Sequence, residues 1–183
     1  MAKEPTPIRT ARLDLIAGGA TVLRAELEGR ESLESALGFR IPQTWPPELY
    51  DVDAIRWMLT RLEEDSGFEA WGFRYFVLRE SSESAGPVAV GAGGYKGPPT
   101  PEGAVEIGYS ILADYQRRGF ASEAVRGLLD NAYAHPDVTR VIAETLPELE
   151  PSIGVLRNAG FELVGDGSEP GVIRFEHVGV VLS

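Results

Sequence analysis

The chain has 183 residues, of which 43% are hydrophobic, and a formal net charge of −11. This length suits a single domain, 1–183, with a folded core at about 10–178. The charge argues against nucleic acid or an anionic membrane as the main partner and is compatible with cationic acceptors such as amines. The lack of cysteine excludes disulfides, thiolate zinc sites and a cysteine nucleophile. The two histidines, His135 and His177, are far apart in sequence, so we expect no metal site.

The N-terminal third predicts one strand followed by helices. Residues 10–16 alternate apolar and charged side chains, which is the period of a half-buried strand. The charged, weakly amphipathic stretch 18–37 predicts one or two short helices, and three prolines exclude regular structure over 41–47. A further helix is predicted over about 52–64, where apolar residues recur at helical spacing.

Three strands are predicted next, at 73–79, 88–95 and 104–112, separated by turn-forming glycine and proline. Strands joined in this way indicate an antiparallel meander. The rest of the chain predicts a helix, a strand, a helix and two strands, at 121–134, 138–145, 152–159, 161–164 and 172–178. Gly127 costs the first of these helices about 1 kcal/mol relative to alanine, so we expect a packing reason for it. The order of elements predicts a mixed α/β or α+β fold.

Several common catalytic motifs are absent from the sequence. It contains no G-x-x-x-x-G-K-[ST] loop, no H-E-x-x-H and no G-x-S-x-G. The glycines at 91–94 do not complete G-x-G-x-x-G. The familiar ATPases and hydrolases are therefore disfavoured.

The segment 116–121, Gln-Arg-Arg-Gly-Phe-Ala, lies between a predicted strand and a predicted helix. A helix N-terminus offers unpaired N–H groups and a positive dipole end, and Gly119 permits close approach of a ligand to the backbone. Arg117 and Arg118 add positive charge to an otherwise acidic chain, so the segment suits an anion such as pyrophosphate. The alternative is a surface turn with two solvated arginines.

Residues 105–124 closely resemble the acetyl-CoA-binding core of the GNAT acyltransferases, and 116–121 meets the family signature Q/R-x-x-G-x-G/A. Two further segments are similar to the ribosomal-protein N-terminal acetyltransferase (RimJ/RimL-type) branch. Residues 10–15 resemble its T-x-R-L-x-L opening strand, and 151–161 resemble its late helix and Gly-Phe turn. The resemblance covers 10–165. It implies the GNAT fold: a mixed, mostly antiparallel sheet flanked by helices, with a splayed parallel strand pair at the cofactor site.

The resemblance implies that acetyl-CoA binds between the splayed strands, here 106–112 and 141–145. The pantetheine arm would pair with the first strand as an added strand does, and the pyrophosphate would rest on the cradle at 116–121. The hydroxyl of Ser122 would contact the pyrophosphate or, alternatively, cap the helix. The implied cofactor-binding residues are Ser110, Ile111, Leu112, Gln116, Arg117, Arg118, Gly119, Phe120, Ala121 and Ser122.

The resemblance also implies the catalytic groups. Glu106 occupies the strand position at which many family members carry a general base, with an ordinary salt bridge as the alternative. Ser152 matches the serine placed to protonate the leaving sulfur, or else caps its helix. Leu156 stands where many other members have a tyrosine acid, which excludes that acid here. Leu149 replaces an asparagine that usually helps to hold CoA, which puts one cofactor contact in doubt.

Trp45, Tyr50 and Trp71 lie in segments that wall the acceptor pocket in the family, where aromatic rings could hold an amine by cation–π contact. The alternative is that they belong to the core. The leading hypothesis is an acetyl-CoA-dependent N-acetyltransferase acting on a primary amine, either a protein N-terminus or a small amine. The second hypothesis is a non-catalytic acyl-CoA-binding sensor or scaffold. We expect a cytoplasmic protein without nucleic-acid or membrane partners, and a homodimer is left open.

Overall fold

The computed structural model describes residues 5–80 and 86–179, and the rest of the predicted domain lies outside the described residues. Its centre is an eight-stranded sheet in the order β1-β2-β3-β4-β5-β6-β8-β7. Neighbouring strands are antiparallel, except for the parallel pair of β5 and β6. The strands are β1 (Ile8–Arg9), β2 (Leu13–Ala17), β3 (Phe73–Leu78), β4 (Val88–Tyr95), β5 (Ala104–Ile111), β6 (Arg140–Thr145), β7 (Glu162–Asp166) and β8 (Ile173–Val178).

Helices cover both faces of this sheet. Short 3-10 turns at Ser66–Trp71 and Ala113–Tyr115 precede β3 and follow β5. The α-helices are α1 (Ala20–Glu28), α2 (Arg30–Leu37), α3 (Val52–Glu64), α4 (Phe120–Tyr133) and α5 (Glu150–Asn158).

Strands β3 and β4 are buried on both faces, whereas β7 at the edge is exposed along its length. Successive side chains of a strand point to opposite sides of the sheet. In β3, Phe73 and Tyr75 pack in one cluster with Leu23 of α1 and Ile55 of α3. Phe76 belongs to the larger cluster that α4 and α5 cover from the other side. We call these two sides of the sheet the α1–α3 face and the α4–α5 face.

The predicted meander is confirmed, because β3, β4 and β5 pair antiparallel in chain order. The predicted first strand begins later, at Leu13, and the two-residue strand Ile8–Arg9, too short for periodicity to indicate, pairs with it. The expected packing reason for Gly127 is also confirmed. A Cβ at this position would lie 2.8 Å from Cγ2 of Thr10, so α4 can approach the opening segment only with glycine there.

The parallel strands β5 and β6 part halfway along their length. They pair over Ala104–Ile107 of β5. Beyond this point β5 runs on to Ile111 and β6 to Thr145, with no further pairing between them among the described residues. The gap between their ends, called the cleft below, has an unpaired edge of β5 along one side. The predicted splayed parallel pair is therefore confirmed.

Candidate functional site

The backbone groups of β5 alternate in direction along the strand. The N–H of Leu112 donates to the carbonyl of Val90 on β4 (2.9 Å). The carbonyl of Glu106 accepts from the N–H of Lys96, just beyond β4 (2.9 Å). The even-numbered residues from 106 to 112 therefore turn their backbone groups toward β4. The odd-numbered residues turn theirs toward β6 and, beyond Ile107, toward the cleft.

Of the three residues expected to pair with pantetheine, only Ile111 turns its backbone groups to the cleft. Ser110 and Leu112 turn theirs to β4, because the register with β4 fixes the alternation. Tyr109, which the sequence did not indicate, also faces the cleft with its backbone. The side-chain amide of Gln116 donates to the Ile111 carbonyl (2.9 Å) at the end of the cleft that leads to the next turn.

The turn after β5 leaves amides at the start of α4 without a helical partner. Gly119 precedes the helix in the left-handed conformation (φ +84°), and no side chain caps it. The first intrahelical bond runs from Glu123 N to Gly119 O (3.1 Å). The amides of Phe120, Ala121 and Ser122 come before this bond. Three such donors at the positive end of a helix fit a pyrophosphate, and Ser122 is not the helix cap.

Arg12 contacts two residues of this cradle and helps to hold it in place. Its Nη1 donates to the carbonyl of Arg118 (3.0 Å), and its guanidinium carbon lies 4.4 Å from the centre of the Phe120 ring. A Cβ on Gly119 would lie 3.2 Å from Nη2 of the same arginine. Arg117, which also has a positive φ of 60°, completes the tight turn. The left-handed backbone therefore favours glycine at 119, and a side chain there would also have to displace the Arg12 guanidinium.

A pocket of about 470 Å³ lies beside the cradle and includes Arg40, Tyr115 and Arg118 in its lining. Nη2 of Arg40 donates to the Tyr115 hydroxyl (3.2 Å), and the Arg118 guanidinium lies 5.4 Å from the centre of that ring. Two guanidinium groups around one ring give the cradle a positive side wall in a chain that is acidic overall.

Glu123 connects residues 10–12 to α4 by hydrogen bonds. Its Oε1 accepts from Thr10 Oγ1 and from Arg12 N, both at 2.6 Å, and its Oε2 accepts from Arg12 Nε at 2.7 Å. Burial alone would raise the pKa of Glu123, but these hydrogen bonds bring it below its ordinary value. The threonine and arginine of the opening motif thus position the helix that bears the cradle.

Glu106 lies on the α1–α3 face, where the cleft begins, in an ion pair with Lys96. The alternative role of Glu106, a strand salt bridge, is thus present, yet 27% of its side chain remains exposed. The next residue on that face is Gly108, and the hydroxyl of Tyr50 lies 3.4 Å from where a Cβ of Gly108 would be. A carboxylate, an ammonium group and a phenol therefore surround the mouth of the cleft.

Ser152 lies across the cleft, in the first turn of α5. The helix begins at Glu150 after Leu149, and no side chain caps it, so Ser152 does not have the capping role. Its Oγ lies 3.3 Å from the hydroxyl of Tyr109, which also reaches the Ser152 carbonyl (3.2 Å). Burial raises the pKa of Tyr109, although the hydrogen bond with Ser152 opposes the shift. The pair joins β5 to α5 on the α4–α5 face.

Two of the three predicted acceptor aromatics lie on the α1–α3 face. Trp45 stacks on Tyr75 with ring centres 5.8 Å apart, and its Nε1 donates to Oε1 of Glu26 (2.6 Å). The Tyr75 hydroxyl bonds to the other oxygen of Glu26. Burial raises the pKa of Glu26, against the hydrogen bonds that lower it. Tyr50 packs on its neighbour Phe73 at 5.2 Å.

The third aromatic residue, Trp71, lies apart from the other two. Its ring packs 5.0 Å from Tyr95 and 4.6 Å from His135, within the cluster on the α4–α5 face. The 3-10 turn before β3 carries it to that side of the sheet. The structure thus brings Trp45 and Tyr50 to the same face as Glu106, and it leaves Trp71 partly buried against the core on the other face.

Sequence reasoning missed Lys96, Tyr109 and Glu26. Lys96 carried one signal, since it is one of two lysines in the chain. Strand alternation placed Tyr109 opposite Glu106, but nothing linked it to Ser152, which is 43 positions away. Glu26 lies on a helix with many charges and carried no signal.

Within residues 5–80 and 86–179, no group of three or more His, Cys, Asp and Glu side chains could hold a metal ion. In the same part of the chain, no helix combines the length and apolar character needed to cross a membrane.

The model of the acetyltransferase (GNAT) domain matches residues 32–162, and the chain belongs to this family. It is 29% identical over 115 residues to the uncharacterized N-acetyltransferase p20 of Bacillus licheniformis. That alignment covers 63% of this chain and 62%, less than two thirds, of the relative. The chain is also 25% identical over 158 residues to the uncharacterized N-acetyltransferase YjdG of Bacillus subtilis, covering 85% of this chain and 89% of the relative.

Solved structures share the fold over nearly the whole chain. The ribosomal-protein-S5-alanine acetyltransferase from Vibrio fischeri matches with a TM-score of 0.64 and 18% identity, over 97% of this chain and 99% of that one. The ribosomal L7/L12 α-N-protein acetyltransferase RimL, in complex with coenzyme A, matches with a TM-score of 0.61 and 18% identity, over 94% and 97%. The predicted GNAT fold is confirmed, and ribosomal-protein acetyltransferases are among its structural neighbours.

Proposed function

We propose that the protein is an acetyl-CoA-dependent N-acetyltransferase that acts on a primary amine. The observation that carries this proposal is the continuity of the cleft with the cradle. The unpaired edge of β5 leads past Ile111 and Gln116 to the amides of Phe120, Ala121 and Ser122. An extended ligand with a pyrophosphate at one end matches this arrangement. The coenzyme A held by RimL supports the same cosubstrate here.

The residues that would hold the cosubstrate follow from the directions of their backbone groups. Tyr109 and Ile111 would pair with the pantetheine arm as neighbours pair with an added strand. The helix amides would bind the pyrophosphate, and Arg117 and Arg118 would balance its charge. Acetyl-CoA, when bound, supplies an acetyl thioester that is open to attack by a neutral amine.

The catalytic roles fall on opposite sides of the cleft. Glu106 accepts a proton from the acceptor ammonium, directly or through water, and so makes the nitrogen nucleophilic. Ser152 donates a proton to the leaving sulfur, and Tyr109 is its hydrogen-bonded neighbour. The Tyr109 hydroxyl, 3.3 Å from Ser152 Oγ, is placed to pass a proton to Ser152 as the serine protonates the sulfur. The two groups act on different faces of the sheet, which keeps proton removal and proton delivery apart.

The α1–α3 face suits a primary ammonium group. Trp45 and Tyr50 provide aromatic surface, and the carboxylate of Glu106 provides negative charge. A protein N-terminus and a small amine are both compatible with this wall, and the ribosomal-protein acetyltransferases among the structural neighbours favour the first. A basic protein acceptor predicts rates that fall with added salt, whereas a small amine predicts modest salt dependence. The proposal keeps a cytoplasmic location, since a chain without cysteine needs no oxidising compartment.

A second candidate is a sensor or scaffold that binds acyl-CoA without turnover. Two observations favour it: Leu149 stands where the family usually has a CoA-binding asparagine, and Lys96 occupies one oxygen of Glu106. The test is an assay of free thiol released from acetyl-CoA across a panel of primary amines and N-terminal peptides. Amine-dependent release that Glu106→Gln abolishes supports the enzyme. Binding without release for any acceptor supports the sensor.

A further inference from the structure

Lys96 is a primary amine within the proposed site. It is one of two lysines in the chain, the other being Lys3, and the remaining strongly basic side chains are arginines. The Lys96 backbone amide donates to the carbonyl of Glu106 (2.9 Å), and its Nζ pairs with the Glu106 carboxylate. A lysine can lose a proton and act as a nucleophile, whereas an arginine stays charged.

The side chain of Lys96 passes the mouth of the cleft. Its Cε lies 3.9 Å from where a Cβ of Gly108 would be, and Gly108 is the first residue of β5 beyond the pairing with β6. Gly108 has no side chain, so Lys96 and the Tyr50 hydroxyl, 3.4 Å from the same position, both approach the backbone of β5 here. The Lys96 side chain is 54% exposed, so core packing does not hold it at the carboxylate.

We propose that Lys96 is itself acetylated at Nζ, by acetyl-CoA bound to the same chain, when no acceptor amine occupies the site. This inference rests on the proposed function. The Nζ lone pair forms an amide bond to the acetyl carbon, and the carbon–sulfur bond breaks with its electron pair on sulfur. Of the two protons that the ammonium loses, one passes through Glu106 to solvent and the other ends on sulfur. The products are Nε-acetyl-Lys96 and CoA with a free thiol.

Acetylation would change the site that produces it. It removes the positive charge of Lys96 and with it the ion pair that occupies Glu106. Whether or not Lys96 is acetylated, an acceptor ammonium that binds at the Glu106 carboxylate must take the place of Lys96 there. The lysine therefore marks the position at which the acceptor nitrogen binds.

The test is mass spectrometry of the full chain after incubation with acetyl-CoA and no added amine, followed by peptide mapping. We expect one acetyl group on Lys96, added at a rate independent of protein concentration because the reaction occurs within one chain. Lys3 is the internal control and gains acetyl much more slowly. Lys96→Arg preserves the charge and gives no adduct at that position, and Glu106→Gln slows the modification at least about tenfold.

A second measurement needs no cosubstrate. Trace labelling with acetic anhydride reports how reactive each lysine nitrogen is in the free protein. Because Nζ of Lys96 contacts the Glu106 carboxylate, Glu106→Gln removes this contact and is expected to speed labelling of Lys96. The same substitution slows transfer from acetyl-CoA. Opposite effects on the two reactions distinguish proton removal by Glu106 from a simple ion pair.

The outcomes separate this inference from the proposed function. Equal acetylation of Lys3 and Lys96, unaffected by Glu106→Gln, would indicate spontaneous chemistry and overturn the inference. The inference would also be overturned if the protein acetylates added amines but Lys96 stays unmodified, both with and without those amines. That result would leave the proposed function standing. No transfer to any amine, by a protein that binds acetyl-CoA, would overturn both.

Discussion

The guanidinium group of Arg12 and the carboxylate of Glu123, 111 positions apart in the chain, form an ion pair at 2.7 Å. The pair connects the segment before β2 to the first turn of α4. The same arginine also holds the carbonyl of Arg118 at the cradle. The geometry of the proposed pyrophosphate site therefore depends on a segment at the opposite end of the sequence.

Removing this connection is expected to destabilise the whole domain. Glu123→Ala should lower the free energy of unfolding by about 2–3 kcal/mol, because the carboxylate, only 14% exposed, accepts several hydrogen bonds. The matched control is Glu63→Ala, whose ion pair with Arg24 is about half exposed on both sides and should contribute under about 1 kcal/mol. Urea unfolding measures both, and equal losses would contradict the account.

The contribution of Glu123 should depend on pH with a defined sign. Its pKa is lower in the folded protein than the ordinary value of 4.5, so its stabilisation is complete above that value and is lost as pH falls toward the folded-state pKa. The difference in unfolding free energy between the wild type and Glu123→Gln should therefore shrink as the pH is lowered through 4.5 and below it. A difference that stays constant over this range in urea titrations would be inconsistent with a lowered pKa.

Gly119→Glu is expected to remove acetyl-CoA binding. The new side chain would meet Arg12 and place a negative charge where the pyrophosphate should lie, which should weaken binding at least about a hundredfold. Gly171 has the same φ of 84° and no atom within 4 Å of its would-be Cβ, so Gly171→Glu carries equal backbone strain away from the site. Thermal-shift titration with CoA should show stabilisation of the control alone. Stabilisation of both variants would count against the cradle.

Ser152→Ala and Tyr109→Phe should slow turnover by related amounts. If the two hydroxyls deliver one proton together, each substitution lowers kcat by about ten- to a hundredfold, and the double variant loses little more than the worse single variant. Melting temperatures serve as the control, because Ser152 caps no helix. Additive losses in kcat would mean that the residues act independently.

Tyr50→Phe should affect the acceptor and spare the cosubstrate. It removes only the hydroxyl beside Gly108, so we expect a rise of about fivefold in acceptor KM, equivalent to about 1 kcal/mol, with unchanged CoA affinity. Trp71→Phe is the comparison, since Trp71 packs against the core on the other face and should leave KM unchanged. Steady-state kinetics that show a raised acceptor KM for Trp71→Phe and an unchanged KM for Tyr50→Phe would indicate that Trp71, and not Tyr50, contacts the acceptor.

Local patterns predicted most of the fold. Three predicted strands joined by turn-forming glycine and proline indicated the meander. The change of period after β5 placed α4 within a residue of its observed start at Phe120. Contacts between distant segments were not predictable in this way. Lys96 meets Glu106 only because of the register across the turn between β4 and β5, and that register also turns Ser110 away from the cleft.

Strand alternation predicts which residues of a strand share a face of the sheet. It does not predict which other elements pack on that face. Alternation placed Glu106 and Gly108 together, but their exposure to the acceptor wall depends on where the segment bearing Tyr50 packs. Trp71 was grouped with Trp45 because both lie in segments that wall the acceptor pocket in the family, and the turn before β3 takes it to the opposite side. The position of a segment in the family does not determine the face on which its side chains pack.

The most direct test of the central claim is calorimetric titration of acetyl-CoA and of CoA into the purified wild-type protein, with Gly119→Glu alongside. The account predicts saturable binding of one molecule per chain for both ligands, absent in the variant. Wild-type protein that binds neither ligand would contradict the account, because the cleft and the cradle would then be inherited features of the fold without their cosubstrate.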